Sequence, residues 1–290
     1  KENNLYLVNY SEPFSGRVSR KELFDRIYTL EDMPDAIPYV TSYYLGRWGF
    51  CLSQNELNQL AGDWFEVKIE TSKFDGELVL AEAYLPGELE EEILFSSYVC
   101  HPSMANNELS GPVCLGALYQ RLSSLKSRRY SYRFVLAPET IGTLCYLKAR
   151  GEHLKANMVA GYQLTCLGGN GSFGYKRSRR GNSMGDRIGE FVVCRMNEGA
   201  LTRFNPANGS DERQYCSPGF NLPLGSIYKT MYGEFPEYHT SLDNLELVRG
   251  EQLRESTDLL ECLIDVIENN IRLHSLKPYG EPFLTKYGLY

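Results

Sequence analysis

The sequence has little that points to a membrane, a nucleic acid or a secretory route. None of its 290 residues belongs to an apolar run as long as a bilayer requires, and the first ten do not form a signal peptide. The 30 Lys and Arg are outnumbered by 37 Asp and Glu, which gives a net charge of −7. Because nucleic acids and anionic membranes select a basic surface, we expect neither as a partner.

Patterns of disulfide-rich and zinc-finger proteins are missing as well. The eight cysteines are scattered without a Cys-x-x-Cys pair, and several lie in apolar stretches. This is typical of reduced, buried thiols, so we expect a cytoplasmic protein without a disulfide framework or a cysteine-rich zinc site. Repeats and low-complexity tracts are also lacking, and 42% hydrophobic residues predict a globular chain with a sizeable core.

The first third of the sequence predicts two capped helices and a β-hairpin. Ser19 and Ser53 are each followed three residues later by Glu, and this capping-box pattern predicts a helix start. Alternating apolar and polar residues predict strands at 64–70 and 77–84, joined by an Asp-Gly turn. The Pro86-Gly87 pair and the acidic run behind it mark a boundary.

After residue 92 the pattern alternates between strands and helices. Strands are predicted at 93–99, 132–137, 158–167 and 222–228, and helices at 109–125, after Glu139, at 184–196 and at 253–271. Strands separated by helices predict an α/β fold, in which a mainly parallel sheet is covered on both faces. Ligands of such sheets bind at the carboxyl ends of the strands, so polar residues that follow strands are the candidates for a site.

Four polar residues lie in loops after strands or between elements: His101 and Glu139 each follow a predicted strand, and Asp211 and His239 lie in later loops. Glu212 adjoins Asp211. Imidazole and carboxylate are zinc ligands, and a carboxylate beside the metal takes a proton from bound water, so the set indicates metal-assisted hydrolysis. Asp211 and Glu212 are candidates for the substrate pocket. Glu139 is equally compatible with a purely structural role, in which it favours the N-terminus of the next helix.

Several segments, in order, carry a resemblance to a known family: SYVCHPSMANNELSGP, APETIG, SRRGN, GSDERQYCSPG and GEFPEYHTSLDN. Over nearly its whole length the chain resembles bacterial aminopeptidase-like proteins of the DUF4910/DUF2172 family, which are related to the M28 zinc exopeptidases. The resemblance implies a zinc-exopeptidase-like α/β/α sandwich with a mostly parallel central sheet, formed by 1–13 and 88–290. It also implies a small inserted β-rich subdomain at 14–87 and a winged-helix domain beyond residue 290.

The metal site that the resemblance implies departs from the family pattern at three positions. Tyr98 stands where relatives have a histidine, Asn107 where they have the metal-bridging aspartate, and Gly169 where they have an acidic residue. Asn offers only a neutral carbonyl and Gly no side chain, so we expect these positions to line the pocket without holding two metal ions. Glu108, shifted by one residue from Asn107, is expected to point elsewhere.

His101, His239 and Glu139 remain from the implied site. The sequence therefore predicts an aminopeptidase-like metallohydrolase acting on a peptide or small amide, with a partly degraded site that holds one zinc ion or none. His101 and His239 are the expected ligands and Glu139 the expected general base. The alternative is an inactive relative that binds a peptide or an amino-acid-like molecule, or serves as an interaction domain. The oligomeric state is left open.

Overall fold

A seven-stranded sheet organises the computed structural model, which describes residues 3–290. The strands of the described chain are β1 (Phe14–Ser19), β2 (Ile27–Tyr28), β3 (Phe50–Cys51), β4 (Trp64–Ile69), β5 (Ala81–Leu85), β6 (Glu92–Tyr98), β7 (Ser131–Ala137), β8 (Met158–Leu164), β9 (Phe173–Lys176), β10 (Ala200–Thr202) and β11 (Leu224–Lys229). Its α-helices are α1 (Arg20–Phe24), α2 (Gln54–Gln59), α3 (Ser110–Ser123), α4 (Ile141–Asn157), α5 (Met184–Gly189), α6 (Glu212–Tyr215) and α7 (Gly250–Asn269). Two π-helical segments, Ala105–Leu109 and Glu190–Met196, adjoin α3 and α5, and two 3-10 turns lie at Asn4–Tyr6 and Leu284–Tyr287.

The large sheet has the strand order β10-β9-β11-β8-β6-β7-β5. β6 is parallel to both β7 and β8, β8 is parallel to β11, and β9 is parallel to β10. Only β5 and the β9–β11 pair run antiparallel within this described sheet. The prediction of an α/β fold with a mostly parallel sheet is therefore confirmed.

Helices cover both faces of this sheet. Every residue of β6 is buried, as a central strand between two helical layers requires. Helices α3, α5 and α7 contribute to the core on one face, around Phe95 and Leu260, while α4 and α6 contribute on the other, around Leu94 and Leu154. The amphipathic pattern that predicted α7 corresponds to a buried stripe from Leu259 to Ile267. Within residues 3–290, no helix combines the length and apolarity needed to cross a membrane.

The N-terminal part differs from its predicted hairpin. Both capping boxes are present, at Ser19 and Ser53. However, β4 pairs antiparallel with β1, and β5 pairs with β7 at the edge of the large sheet, so the predicted pairing of 64–70 with 77–84 is wrong. The physical reason is burial, because Leu85 of β5 joins the main core. The subdomain at 14–87 stays a prediction, with β5 inside that range bound to the large sheet.

A buried ion cluster lies at the end of the sheet where β6 begins. Arg133 of β7 donates two hydrogen bonds to the Glu92 carboxylate, at 2.7 and 2.8 Å, and a third to Glu82 at 2.6 Å. His153 lies 2.6 Å from the same Glu92 carboxylate. Burial alone would raise the pKa of Glu92, but the hydrogen bonds and charge of Arg133 and His153 hold that pKa below its usual range. The cluster thus neutralises charges that the core could not otherwise hold.

Candidate active site

A cleft of about 600 Å³ opens at the carboxyl end of β6. Its lining includes Cys100, His101 and Glu108 from the segment that follows β6, together with Asp243 from the loop before α7. The strand ends at Tyr98, and the chain then leaves the sheet to enter the π-helical segment that precedes α3. This is the edge of the sheet at which the rule for parallel sheets places a ligand.

The ring of His101 is held by a carboxylate. Its Nδ1 lies 3.1 Å from Oε2 of Glu108, which also accepts the backbone N–H of His101 at 2.9 Å. Burial alone would lower the pKa of His101, but hydrogen bonds to Cys100 and Glu108 outweigh this effect and raise the pKa to about 10. Glu108 therefore points at His101, and it fixes the orientation of the imidazole in the way that outer carboxylates orient metal-binding histidines.

Glu139 faces His101 from the end of β7. Its Oε2 lies 3.8 Å from Nε2 of His101, and its Oε1 accepts a hydrogen bond from the Ser210 hydroxyl at 2.5 Å. The next residue, Thr140, has a φ of +64°, and its N–H donates to Asp211 at 2.7 Å. The Glu139 carboxylate, next to this strained residue, thus has Ser210 and His101 as its neighbours.

His239 lies beside His101 and has an unused nitrogen. The two ring centroids are 5.2 Å apart, Tyr238 stacks on the His239 ring at 3.9 Å, and Tyr39 meets its edge at 5.1 Å. Burial and the charge of His101 lower the pKa of His239 to about 4. Among the described residues, its buried Nε2 has no hydrogen-bond partner. His239 therefore presents a neutral nitrogen lone pair, which is the form in which imidazole binds a metal.

Tyr98 and Asn107, two of the positions at which the resemblance implies a lost ligand, contact each other. The phenol of Tyr98 donates to Oδ1 of Asn107 at 3.0 Å and lies 2.5 Å from the Thr165 hydroxyl. Burial raises the pKa of Tyr98 well above its usual value, so the phenol stays neutral and acts as a donor. The third position, Gly169, lies beside Asn106, whose side-chain nitrogen would be 3.3 Å from a Cβ added there. No carboxylate stands at any of the three positions.

Asp211 and Glu212 lie beneath the Glu139 loop, and both are 0% exposed. Asp211 holds the Thr140 amide, and burial raises its pKa to about 7. Glu212 forms a buried ion pair with Lys176 at 2.9 Å and accepts the backbone N–H of Ser210 at 2.9 Å. These contacts support the loop that carries the Glu139 partner, and their assignment to a substrate pocket stays a prediction.

Asp243 is a positioning residue that was not singled out from the sequence. Its carboxylate accepts the backbone N–H groups of three consecutive residues, Ala105, Asn106 and Asn107, at 3.2, 2.5 and 2.8 Å. It thereby fixes the start of the π-helical segment that carries Glu108. The signal for this role was its place in the segment that ends in TSLDN, close to His239.

The donor set at this edge of the sheet fits one zinc ion, provided that His101 gives up on binding the proton that its raised pKa retains. Ligand atoms of Cys100, His101 and Glu139 all lie within 4.8 Å of one another. The unpaired, buried Nε2 of His239 adds a further donor beside them. Nitrogen, sulfur and carboxylate oxygen are the ligands that zinc accepts in proteins. Tyr98 and Asn107 are neutral and add neither imidazole nor carboxylate, and the described residues 3–290 bring no second such group together here.

Comparisons with known proteins place this geometry in context. Residues 31–270 match the family model described as "Domain of unknown function (DUF4910)". A protein of Clostridium acetobutylicum, named "Putative polysaccharide biosynthesis protein with aminopeptidase-like domain", is 44% identical over 291 residues, covering 100% of this chain and 66% of the relative. The chain thus spans just under two thirds of that relative's length.

Two solved structures share the fold. The crystal structure of a "putative peptidase" from Clostridium acetobutylicum has a TM-score of 0.92 and 43% identity, over 99% of this chain and 67% of that one. A zinc aminopeptidase from Bacillus subtilis has a TM-score of 0.59 and 13% identity, over 85% of this chain and 65% of that one. The second likeness concerns the fold alone.

Proposed function

The chain belongs to the DUF4910 family, and on that premise we propose that it is an aminopeptidase-like hydrolase of a peptide or small amide whose metal site holds at most one zinc ion. The observation that carries this proposal is the arrangement of three groups at one edge of the sheet. Nε2 of His101 faces the Glu139 carboxylate at 3.8 Å, and the unpaired Nε2 of His239 lies nearby. These groups offer ligands for one zinc ion and a base beside them.

The proposed division of labour follows from these contacts. His101 and His239 would hold the ion, which when bound polarises an amide carbonyl and acidifies water. Glu139 accepts a proton from the attacking water and returns it to the leaving amine. Ser210 holds one oxygen of Glu139 at 2.5 Å, which leaves the other oxygen directed at the cleft. Glu108 fixes the ring of His101 through its hydrogen bond to Nδ1.

Names of the relatives support the substrate class. The aminopeptidase-like domain and the peptidase of Clostridium acetobutylicum favour a peptide or a small amide. The name of the relative with the aminopeptidase-like domain also includes polysaccharide biosynthesis, so an amide carried on a sugar belongs among the substrates to be assayed. A cytoplasmic location is proposed with it, since all eight cysteines, which lie within the described residues, are free. The winged-helix domain beyond residue 290 stays a prediction.

Zinc content is the direct test of the proposed site. We expect protein prepared without chelators, and then titrated with zinc, to bind one ion per chain, because the donors of only one site are present. Native mass spectrometry measures the stoichiometry, and His239→Ala is expected to lose the ion. Two tightly held ions would contradict the proposed reduction of the site. No binding of zinc, together with stabilisation by peptides alone, would favour the alternative below.

A non-catalytic ligand-binding protein is the second candidate. Tyr98 and Asn107 hydrogen-bond to each other, and His101 pairs with Glu108, so these side chains have partners without any metal. A pocket whose polar groups are paired in this way, apart from Nε2 of His239 and Nδ2 of Asn107, can keep its shape for a peptide or an amino-acid-like molecule. The two candidates differ in turnover, which a fluorogenic panel of aminoacyl amides measures directly.

Restoring the missing ligands is expected to create strong zinc affinity. The triple variant Tyr98→His, Asn107→Asp and Gly169→Asp returns one imidazole and two carboxylates to a site that retains His239. Without metal this variant should be less stable than the parent, because it loses the Tyr98–Asn107 hydrogen bond and places like charges together. Zinc should restore the loss. Thermal melts with and without zinc are the measurement; equal stabilisation of the parent and the variant would contradict the assignment of these positions.

A further inference from the structure

Cys100 has an unusual position for a free cysteine. Its thiol is exposed and lines the cleft, while four of the other seven cysteines are buried. Its Sγ lies 3.3 Å from Nδ1 of His101 and accepts the backbone N–H of Glu139 at 3.2 Å. Sulfur, imidazole and carboxylate thus converge from two different strand ends.

The proposed zinc site is one protein ligand short without this residue. Catalytic zinc sites use three protein ligands and keep a fourth position for water or substrate. His101 and His239 supply two, and Glu139 serves as the base. We infer that the Cys100 thiolate is the third ligand, an inference that rests on the proposed function and deepens it.

Distances and hydrogen bonding support this assignment. Two ligands on one tetrahedral zinc ion lie about 3.5 Å apart when one is sulfur and the other nitrogen. Ligand atoms of Cys100, His101 and Glu139 lie within 4.8 Å of one another, so a small movement of these side chains brings them to the separation that shared ligation demands. The N–H of Glu139 donates to the sulfur, so the thiol is held beside the loop that carries Glu139.

Binding of the ion to Cys100 releases one proton and forms one bond. On binding, the thiol of Cys100 gives its proton to the solvent, and a sulfur lone pair forms the bond to the ion. The ion takes up no other group in this step. A thiolate is a soft ligand, so the site should select zinc, cobalt or cadmium over magnesium, calcium or manganese. Neither His101 nor His239 alone would impose that preference as strongly.

Cobalt(II) tests the inference, because a cobalt–thiolate bond gives a near-ultraviolet charge-transfer band that nitrogen and oxygen ligands do not give. We expect the full chain to bind one cobalt ion with this band. Cys100→Ser should lose the band and bind cobalt at least about 10-fold more weakly, given what even outer ligands contribute to affinity. Cys145→Ser, at the other exposed cysteine, is the matched control and should retain both.

The outcomes separate this inference from the proposed function. Cobalt bound without the band, with equal affinity in Cys100→Ser, would overturn the role of Cys100 and leave the proposed His101–His239 site standing. Absence of cobalt binding by the parent would overturn both. If Cys100→Ser does not fold, alkylation of the native chain decides, with Cys145 as the internal reference: zinc should slow the modification of Cys100, and an unchanged rate overturns the inference.

Discussion

Glu139→Gln is expected to lower kcat for amide hydrolysis by about 100- to 10,000-fold, the range that a positioned general base contributes. The amide keeps the size of the side chain and can still accept the Ser210 hydrogen bond, but it cannot take a proton from water. Zinc stoichiometry and thermal stability should therefore match the parent, so the loss belongs to the chemical step. Steady-state kinetics on the best substrate of the amide panel, with metal content measured on the same sample, provides the test.

Glu152→Gln is the matched control for this change. Glu152 lies on α4, and its side chain is 86% exposed, so the substitution removes a carboxylate that contacts only Lys155. It should leave kcat and KM unchanged. Full activity of Glu139→Gln would remove Glu139 from the mechanism, whereas loss of zinc in that variant would assign Glu139 to the metal instead of to the proton.

Arg133→Met is expected to destabilise the protein by about 3–5 kcal/mol, the cost of removing one partner of a buried ion pair, since His153 alone remains beside Glu92. Methionine fills much of the space of the arginine stem but offers no donor to Glu92, which is 1% exposed. Urea unfolding, followed by circular dichroism, measures the difference. The double variant Arg133→Met with Glu92→Gln should recover part of this loss of stability. The Glu92 carboxylate that has lost Arg133 is then replaced by a neutral amide.

Two further measurements make this prediction specific. Arg150 binds the same Glu82 from the surface, with 51% of its side chain exposed, so Arg150→Met should cost less than about 1 kcal/mol. The pKa of Glu92 lies below its usual range, so its contribution is present above the unfolded-state pKa and disappears as the pH falls through the folded-state pKa. Arg133→Met should accordingly flatten the loss of stability in acid. An unchanged acid limb would contradict this linkage.

Local patterns were sufficient for most of the main sheet. The apolar run that forms β6 and the helical spacing that forms α7 are properties of neighbouring residues, and both elements occur where they were expected. The hairpin prediction failed because pairing depends on distant strands. Alternation identified a strand near 77–84, but only tertiary packing assigns Ala81–Leu85 to β7 and not to β4. The short strands β9 and β10 were missed, since each is too brief to show a period.

The candidate site divides in a similar way. Rules for parallel sheets located His101 and Glu139 at one edge, since both directly follow strands of that sheet. They could not reveal that Asp243 reaches back over more than 130 positions to hold the amides before α3. Nor could they reveal the partner of Glu139, because Ser210 lies 71 positions away in the chain. Such contacts depend on the folded arrangement and leave no local trace in the sequence.

The support of His239 has a consequence for the order in which the molecule assembles. The backbone carbonyl of His239 accepts the N–H of Tyr39. Two residues before Tyr39 and two residues after His239, Ile37 and Ser241 exchange hydrogen bonds, although 204 positions separate them in the sequence. Closing so long a loop costs chain entropy that only later contacts repay. The central sheet can therefore condense while this junction is still open. We therefore expect the surroundings of His239 to be completed late, after most of the native structure has formed.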